Sequence, residues 1–397
     1  MEIISKKQRE FIEENKEEDI NSLLLKKWDK DLDIMFCIRQ IIGKKKAKEK
    51  FPLLLNYNLI YPDKIYLEQT SSDITANYKA ELFNGQKTIR DLTSGFGIDD
   101  IYFSKYIDKV FYHERNSELA EIAKLNFQNM GIENIEVIIG DSIQELENYS
   151  KTDIIYLDPS RRDDNKNKVF LLKDCQPNII GLIPKLFEKA DIIAIKLSPM
   201  LEINSLKQCI DNIKQIHIVS IKNECKELFI ILEKGYIGEI EYLCIDYKGD
   251  NKSIFNFHEG ETQDTEFLNI EDINRLNYLY EPNSSIMKAS GYRFISKKFN
   301  LKKLSLFSHL FLSNKDIDSF PGRKFIINEV LEFKSSGIKD LKKKFPFANI
   351  SIRNFPLTVS EIRKKTDIKD GGEDYLFFTT IGKDKKIILI CNKIISD

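Results

Sequence analysis

The chain is short of the residues that build metal centres and covalent frameworks. Its six cysteines (Cys37, Cys175, Cys209, Cys225, Cys244 and Cys391) are scattered with no CxxC pair, and its four histidines are equally dispersed. Such spacing suggests neither a disulfide scaffold nor a zinc site, and no dedicated metal centre is expected. Unpaired cysteines suit a reducing compartment, so a cytoplasmic location is expected. No apolar run approaches the roughly 20 residues needed to cross a bilayer. Met1-Glu2-Ile3-Ile4-Ser5-Lys6-Lys7 lacks the apolar core of a signal peptide, so export is not expected.

What is present describes an ordinary globular chain, 42% hydrophobic and 31% charged. At 397 residues it exceeds one compact core, and two or three domains are expected. The net charge of −1 hides an asymmetry. Ile286 to Asp397 holds 23 Lys+Arg against 12 Asp+Glu, whereas Ile231 to Ser285 holds 4 against 12. A block of net +11 on a nearly neutral chain fits either a polyanionic partner or a solvated lysine-rich face.

Residues 1–66 read as helical, with segments at Lys7–Asn15, Asp19–Trp28 and Met35–Ile42, then a basic run from Lys44 to Lys50 ended by Phe51-Pro52. This region is expected to cap the next domain. Ser71 or Ser72 is placed to cap a helix carrying Ile74, Tyr78 and Leu82 on one face, either a plain connector or one wall of a ligand pocket.

From Thr88 strands and helices alternate, the mark of a mainly parallel sheet with an α/β, Rossmann-like fold. The first strand runs into Asp91-Leu92-Thr93-Ser94-Gly95-Phe96-Gly97, a turn where backbone lies against a ligand or simply connects strand to helix. Later strands end at Glu114, at Gly140-Asp141, at Asp158-Pro159 and at Ser198-Pro199. Strand-like runs at Gln215–Ile221 and Glu227–Glu233 are too close for a crossover helix and imply an antiparallel hairpin.

In an open parallel sheet the ligand lies outside the carboxyl ends of the strands. Asp91, Glu114, Asp141 and Asp158 put a carboxylate at four consecutive strand ends. Glu114 follows Gly95 by nineteen residues, the spacing at which a carboxylate meets a ribose diol. Asp141 either accepts from an adenine amino group or caps the next helix. A dinucleotide fingerprint would place a third glycine where this chain has Asp100.

With five alternating units and a closing hairpin, the run from Thr88 to Glu233 resembles the class I S-adenosylmethionine-dependent methyltransferases. The resemblance implies a seven-stranded sheet and S-adenosyl-L-methionine as cofactor, held by Thr70, Asp91, Thr93, Gly95, Gly97, Glu114, Asp141 and Asp158. It places Asp158-Pro159-Ser160-Arg161-Arg162 at the fourth methyltransferase motif, where an acidic residue or Asn, two prolines and an aromatic are typical of amino-group methylation. Ser160 and Arg161 depart from that pattern. The form with arginine after proline is similar to that of several RNA methyltransferases, so Asp158, Pro159, Ser160 and Arg161 are the catalytic candidates. Arg161 or Arg162 would bind a phosphate, stack on a base, or pair with a structural carboxylate.

Methylation at pyrimidine C5 requires a cysteine nucleophile, and none lies beside Asp158 or directly after Leu197. A lysine–aspartate–lysine–glutamate set for ribose methylation is matched loosely by Lys79, Asp158, Lys196 and Glu224. Transfer to a base nitrogen by positioning is the preferred chemistry.

The C-terminal text, Phe347 to Leu357 and then Asp370-Gly371-Gly372-Glu373-Asp374-Tyr375-Leu376-Phe377, resembles the THUMP-like domain of a bacterial methyltransferase family. That resemblance implies the domain order 1–66 helical, 67–235 methyltransferase, 236–280 acidic strand-rich connector, 281–322 ferredoxin-like and 323–397 THUMP-like. The expected terminal elements are strands at Phe325–Ile327, Asn349–Arg353, Tyr375–Thr380 and Lys386–Cys391, with helices near Ser336–Lys344 and Val359–Lys364. The expected function is methylation of RNA, the basic C-terminal module binding the substrate. The alternatives are a small-molecule or protein methyltransferase, or a non-catalytic RNA-binding protein.

Overall fold

The computed structural model describes residues 4–29, 31–161, 172, 175–261, 265–269, 273, 275–334, 338–382 and 384–394. Arg162, Lys383 and the start of the helix expected near Ser336 lie outside these residues, as does the side chain of Arg161. By internal contacts the chain divides into two compact units: Met1–Ile213 with Ile230–Ile237, and Lys214–Phe229 with Gly238–Asp397.

In the first unit the basic run does not end the preceding helix. Helix α1 (Ile34–Lys50) continues through it, because Lys, Ala and Glu favour helix, and stops at Phe51-Pro52. A second helix spans Lys64–Gln69. Helix α2 (Asp73–Glu81) starts from a Ser72 capping box closed by Thr75. Its buried face differs from the expected apolar stripe: Leu82 is exposed, while Asp73 and Lys79 are buried. Tyr102 and the Leu53 amide satisfy Asp73, at 2.5 and 2.9 Å.

Strands β1 (Thr88–Asp91), β2 (Lys109–Glu114), β3 (Ile135–Ile139), β4 (Ile154–Leu157) and β5 (Ile192–Leu197) are mutually parallel in the order β5-β4-β1-β2-β3. Helix α3 (Ile98–Phe103) follows the glycine turn, and α4 (Ser117–Asn129) is capped by Asn116. The hairpin strands β6 (Ile213–Ile221) and β7 (Glu224–Glu233) come next in the chain. The acidic segment, expected to be strand-rich, then supplies two further strands, β8 (Glu241–Lys248) and β9 (Asn251–His258). The whole sheet runs β9-β8-β6-β7-β5-β4-β1-β2-β3. Seven of its strands make the methyltransferase arrangement expected from the alternation, and β8 and β9 extend it.

The second unit also contains a seven-stranded sheet. Its strands are β10 (Tyr278–Pro282), β11 (Lys302–Lys303), β12 (Phe311–Ser313), β13 (Gly322–Glu332), β14 (Asn349–Arg353), β15 (Asp374–Ile381) and β16 (Lys385–Ile394), in the order β11-β12-β10-β13-β16-β15-β14. Strand β10 lies antiparallel to β13, so the 281–322 segment and the terminal module share one sheet. One core follows suit, joining Leu279, Leu310 and Leu312 to Phe325, Phe377 and Leu389.

Candidate active site

The strand ends of the first unit are tied together by the turn after β1. Asp91 is buried, and its Oδ1 accepts from the Thr93 amide at 2.7 Å and the Thr93 hydroxyl at 3.3 Å. The same hydroxyl accepts from the Asp158 amide at 2.6 Å, linking the ends of β1 and β4. Ser94 joins β2 in turn: its amide donates to the His113 carbonyl, and its hydroxyl accepts from the His113 amide, both at 3.0 Å.

The two glycines of the turn have different work. Gly95 has φ +57°, and a Cβ built there meets nothing nearer than the Thr93 carbonyl oxygen at 4.0 Å. Its amide donates to Glu114 Oε2 at 3.1 Å, while Glu114 Oε1 accepts from the Asn116 amide at 2.7 Å. Gly97 has φ +81°, and its Cβ would lie 2.7 Å from Phe127 and 3.2 Å from Tyr112. Packing against Phe127 and Tyr112 therefore requires a glycine at 97. Gly95→Ala is expected to cost about 1–2 kcal/mol from the left-handed backbone alone. Gly97→Ala adds overpacking and should cost about 2–5 kcal/mol. Urea unfolding of the two variants measures the difference, and equal losses would contradict this division of roles.

Asp141 closes the turn after β3, and Glu145 is the residue that precedes the next short helix, Leu146–Asn148. Its carboxylate accepts from the amides of Ile143 and Gln144, at 3.0 and 3.2 Å. Thr70 closes the Lys64–Gln69 helix, its hydroxyl donating to the Leu67 carbonyl at 2.9 Å. Beyond β4, Asp158 keeps 30% of its side chain exposed and accepts from Lys196 Nζ at 2.5 Å through Oδ2. Pro159 is buried and Ser160 exposed, with Ser160 and Arg161 laddered against Gln176 and Cys175.

Behind the glycine turn lies a buried ionic network. Lys79 Nζ, wholly buried, sits 3.1 Å from Asp99 Oδ1 and donates to the Ser71 hydroxyl at 2.9 Å. Ser71 and Tyr156 each donate to Asp99 Oδ2 at 2.9 Å. Burial alone would raise the Asp99 pKa, but Lys79, Lys196 and the Ser71 hydrogen bond outweigh it and hold the carboxyl below its ordinary range. Asp91 and Asp100 go the other way. Burial drives both well above the ordinary range; Asp99 adds to it for both, Asp158 for Asp91, and Asp91 for Asp100. Asp100 Oδ2 is buried with no hydrogen-bond partner among the described residues. Such a pocket of acid favours a cation, because positive charge there relieves the mutual repulsion of the carboxylates.

Comparison with known proteins agrees with this architecture. Residues 322–393 match the THUMP domain-like family, and residues 278–321 match a ferredoxin-like domain family. A solved structure from Porphyromonas gingivalis W83, provisionally assigned as a methyltransferase, is 27% identical with a TM-score of 0.85, and the match covers 98% of each chain. Fold and domain order are thus similar to those of the Porphyromonas protein, a methyltransferase fold followed here by ferredoxin-like and THUMP-like domains. An uncharacterised RNA methyltransferase of Clostridium acetobutylicum is 26% identical over 147 residues, 36% of this chain. The chain spans 30% of the length of that curated relative.

In this methyltransferase-fold protein two lysines stand at the site. Lys196, already named in the loose ribose set, is the one charge in the strand Ile192–Leu197; Lys50 carries little signal in the sequence as a functional residue. Lys50 ends a lysine run that reads as a solvated face. Its Nζ donates to the carbonyls of Leu67, Glu68 and Thr70, at 3.0, 2.7 and 2.6 Å. Burial, then Lys196, pushes its pKa down to about 8. Of the loose four-residue ribose set, Asp158 and Lys196 pair, while Lys79 pairs with Asp99 and the exposed Glu224 with Lys226 at 2.8 Å. Among the described residues no group of three or more His, Cys, Asp or Glu side chains is placed to hold a metal, and no helix is long and apolar enough to cross a membrane.

Proposed function

We propose that this chain is an S-adenosylmethionine-dependent methyltransferase of the cytoplasm that acts on RNA, with a base nitrogen as acceptor. One observation carries the cofactor reading: the carboxylates at the ends of β1, β2 and β4 gather around a glycine turn whose Gly95 side meets no protein atom within ordinary contact. The residues fit the cofactor's chemistry. Glu114 would take the ribose diol, and the backbone at Gly95 would lie along the amino-acid part. Asp91, with Asp99 and Asp100 behind it, would face the cationic end.

When bound, S-adenosylmethionine supplies a methyl group on a sulfonium. The chain's own task is then positioning. Lys196 pins Asp158 Oδ2, and the Thr93 hydroxyl fixes the Asp158 amide. The carboxylate, held in this way, would accept hydrogen bonds from the acceptor amine, turn its lone pair towards the methyl carbon and take up the proton it releases. Support for RNA comes from the net +11 of residues 286–397, the THUMP-like match and the Clostridium relative.

Isothermal titration with S-adenosylmethionine tests the assignment. Binding is expected, and Glu114→Ala should weaken it about tenfold to a hundredfold through loss of charge-assisted hydrogen bonds. No binding to the parent chain, or binding indifferent to this substitution, would remove the cofactor from the proposal. Tritium transfer to total RNA, with and without prior ribonuclease, separates RNA from protein or small-molecule acceptors.

A further inference from the structure

The charge excess of the C-terminal half has a local centre in the ferredoxin-like segment. From Pro282 to Lys315 the chain carries seven Lys+Arg and not one Asp or Glu. Within that stretch the loop joining β11 to β12 presents large apolar side chains to solvent. Leu304 and Leu310 are buried and close the loop, the Leu304 amide donating to the Leu310 carbonyl at 2.8 Å. Between them Leu306 and Phe307 are 57% and 66% exposed. Phe267, whose residue bridges to Lys303, is 51% exposed.

This loop is braced from beneath. Lys303 is buried, donates to the Leu306 carbonyl at 2.8 Å and lies 5.2 Å from the Tyr292 ring centre. His309 packs against the same ring at 4.1 Å, in a left-handed backbone conformation with φ +52°. Burial, then Lys303 and Arg353, pushes His309 down to about 4, so it is neutral at pH 7 and acts as packing. Arg293 and Lys302 are exposed on the same small subdomain.

Exposed aromatic side chains on a braced loop among cations are what an unpaired base requires: a surface to stack on, and charge for the flanking phosphates. A protein partner is a poorer fit, because the core of a protein interface is depleted in charge and particularly in lysine. We infer that the Leu306-Phe307 loop, with Phe267, Arg293 and Lys302, is a stacking site for an unpaired base of single-stranded RNA. This rests on the RNA reading above and adds a binding element distinct from the strand-end carboxylates. Duplex RNA is excluded as the preferred ligand, because its bases are already stacked and its ring faces are covered.

The test uses the full chain and fluorescein-labelled 20-nucleotide RNA of mixed sequence, read by anisotropy against a duplex of equal length. Phe307→Ala should weaken single-strand binding about tenfold, the scale of one lost base stack. Phe307→Trp should retain or strengthen it. Urea unfolding and S-adenosylmethionine titration of both variants should match the parent, because Phe307 is exposed. Unchanged single-strand affinity in Phe307→Ala, equal loss on single strand and duplex, or a parent dimer that the substitution dissolves would each overturn the inference, the last assigning the patch to a protein partner. A parent chain that binds no RNA would overturn the RNA reading as well. RNA binding indifferent to Phe307 would sink this site alone.

Discussion

Asp158→Ala is expected to lower methyl transfer to RNA about a hundredfold to a thousandfold, the scale of losing a positioned acid–base group. The residue is tied on two sides: Lys196 holds Oδ2 at 2.5 Å, and Thr93 holds the backbone amide at 2.6 Å. Alanine keeps the second tie and removes the first, so the loop should stay in place while its carboxylate is lost. S-adenosylmethionine affinity should therefore fall by no more than about tenfold, one charged hydrogen bond at most. Asp158→Asn, which keeps an oxygen but no charge, should fall between the two. Single-turnover tritium transfer to total RNA measures the rate. An alanine variant with more than half the parent rate would remove Asp158 from the chemistry.

The largest stability loss is expected from Lys79→Met. Asp99 would keep its hydrogen bonds from Ser71 and Tyr156 but lose the lysine paired with it at 3.1 Å. Breaking one side of a buried ion pair costs about 3–5 kcal/mol, because a charge is left uncompensated in a poor solvent. The pH dependence has a definite sign. Because the Asp99 pKa is held low in the folded chain, its stabilisation is present above the unfolded value near about 4 and is lost as pH falls through the folded one. The gap between parent and Lys79→Met should thus be wide at pH 7, persist to about pH 4 and narrow only below it, towards about pH 3. Urea unfolding at these values tests this, and a gap below about 1 kcal/mol at pH 7 would show that the network is dispensable.

The sequence made the parallel sheet legible because four of its five parallel strands are short runs stopped by a carboxylate or a glycine, and the fifth is stopped by Ser198-Pro199. Burial is harder to read. Lys79 looks like a surface lysine on an amphipathic helix, and only its distant partner Asp99 explains why it is inside. Gly95 and Gly97 look alike in the text, yet Phe127, thirty residues on, separates their roles. Lys50 is indistinguishable from its neighbours until the end of the Lys64–Gln69 helix arrives to offer three carbonyls. The acidic stretch reads as strand-rich, but nothing in Tyr242-Leu243-Cys244-Ile245 says that β8 pairs with β6, because a parallel partner is set by tertiary contact.

That last element bears on where the chain can be cut. Strand β8 runs parallel to β6 through seven paired residues, from Glu241 opposite Gln215 to Tyr247 opposite Ile221. A fragment ending near residue 235, where the alternating pattern of the text stops, would strip this ladder away. It would leave the edge of β6 bare along Ile216, Ile218 and Val219, all buried in the intact chain. An open apolar edge of that length is a template for self-association. A cut after His258 keeps the ladder, with β9 paired along β8, but strips Phe294 and Phe299 from the buried rings of Phe257 and Phe255.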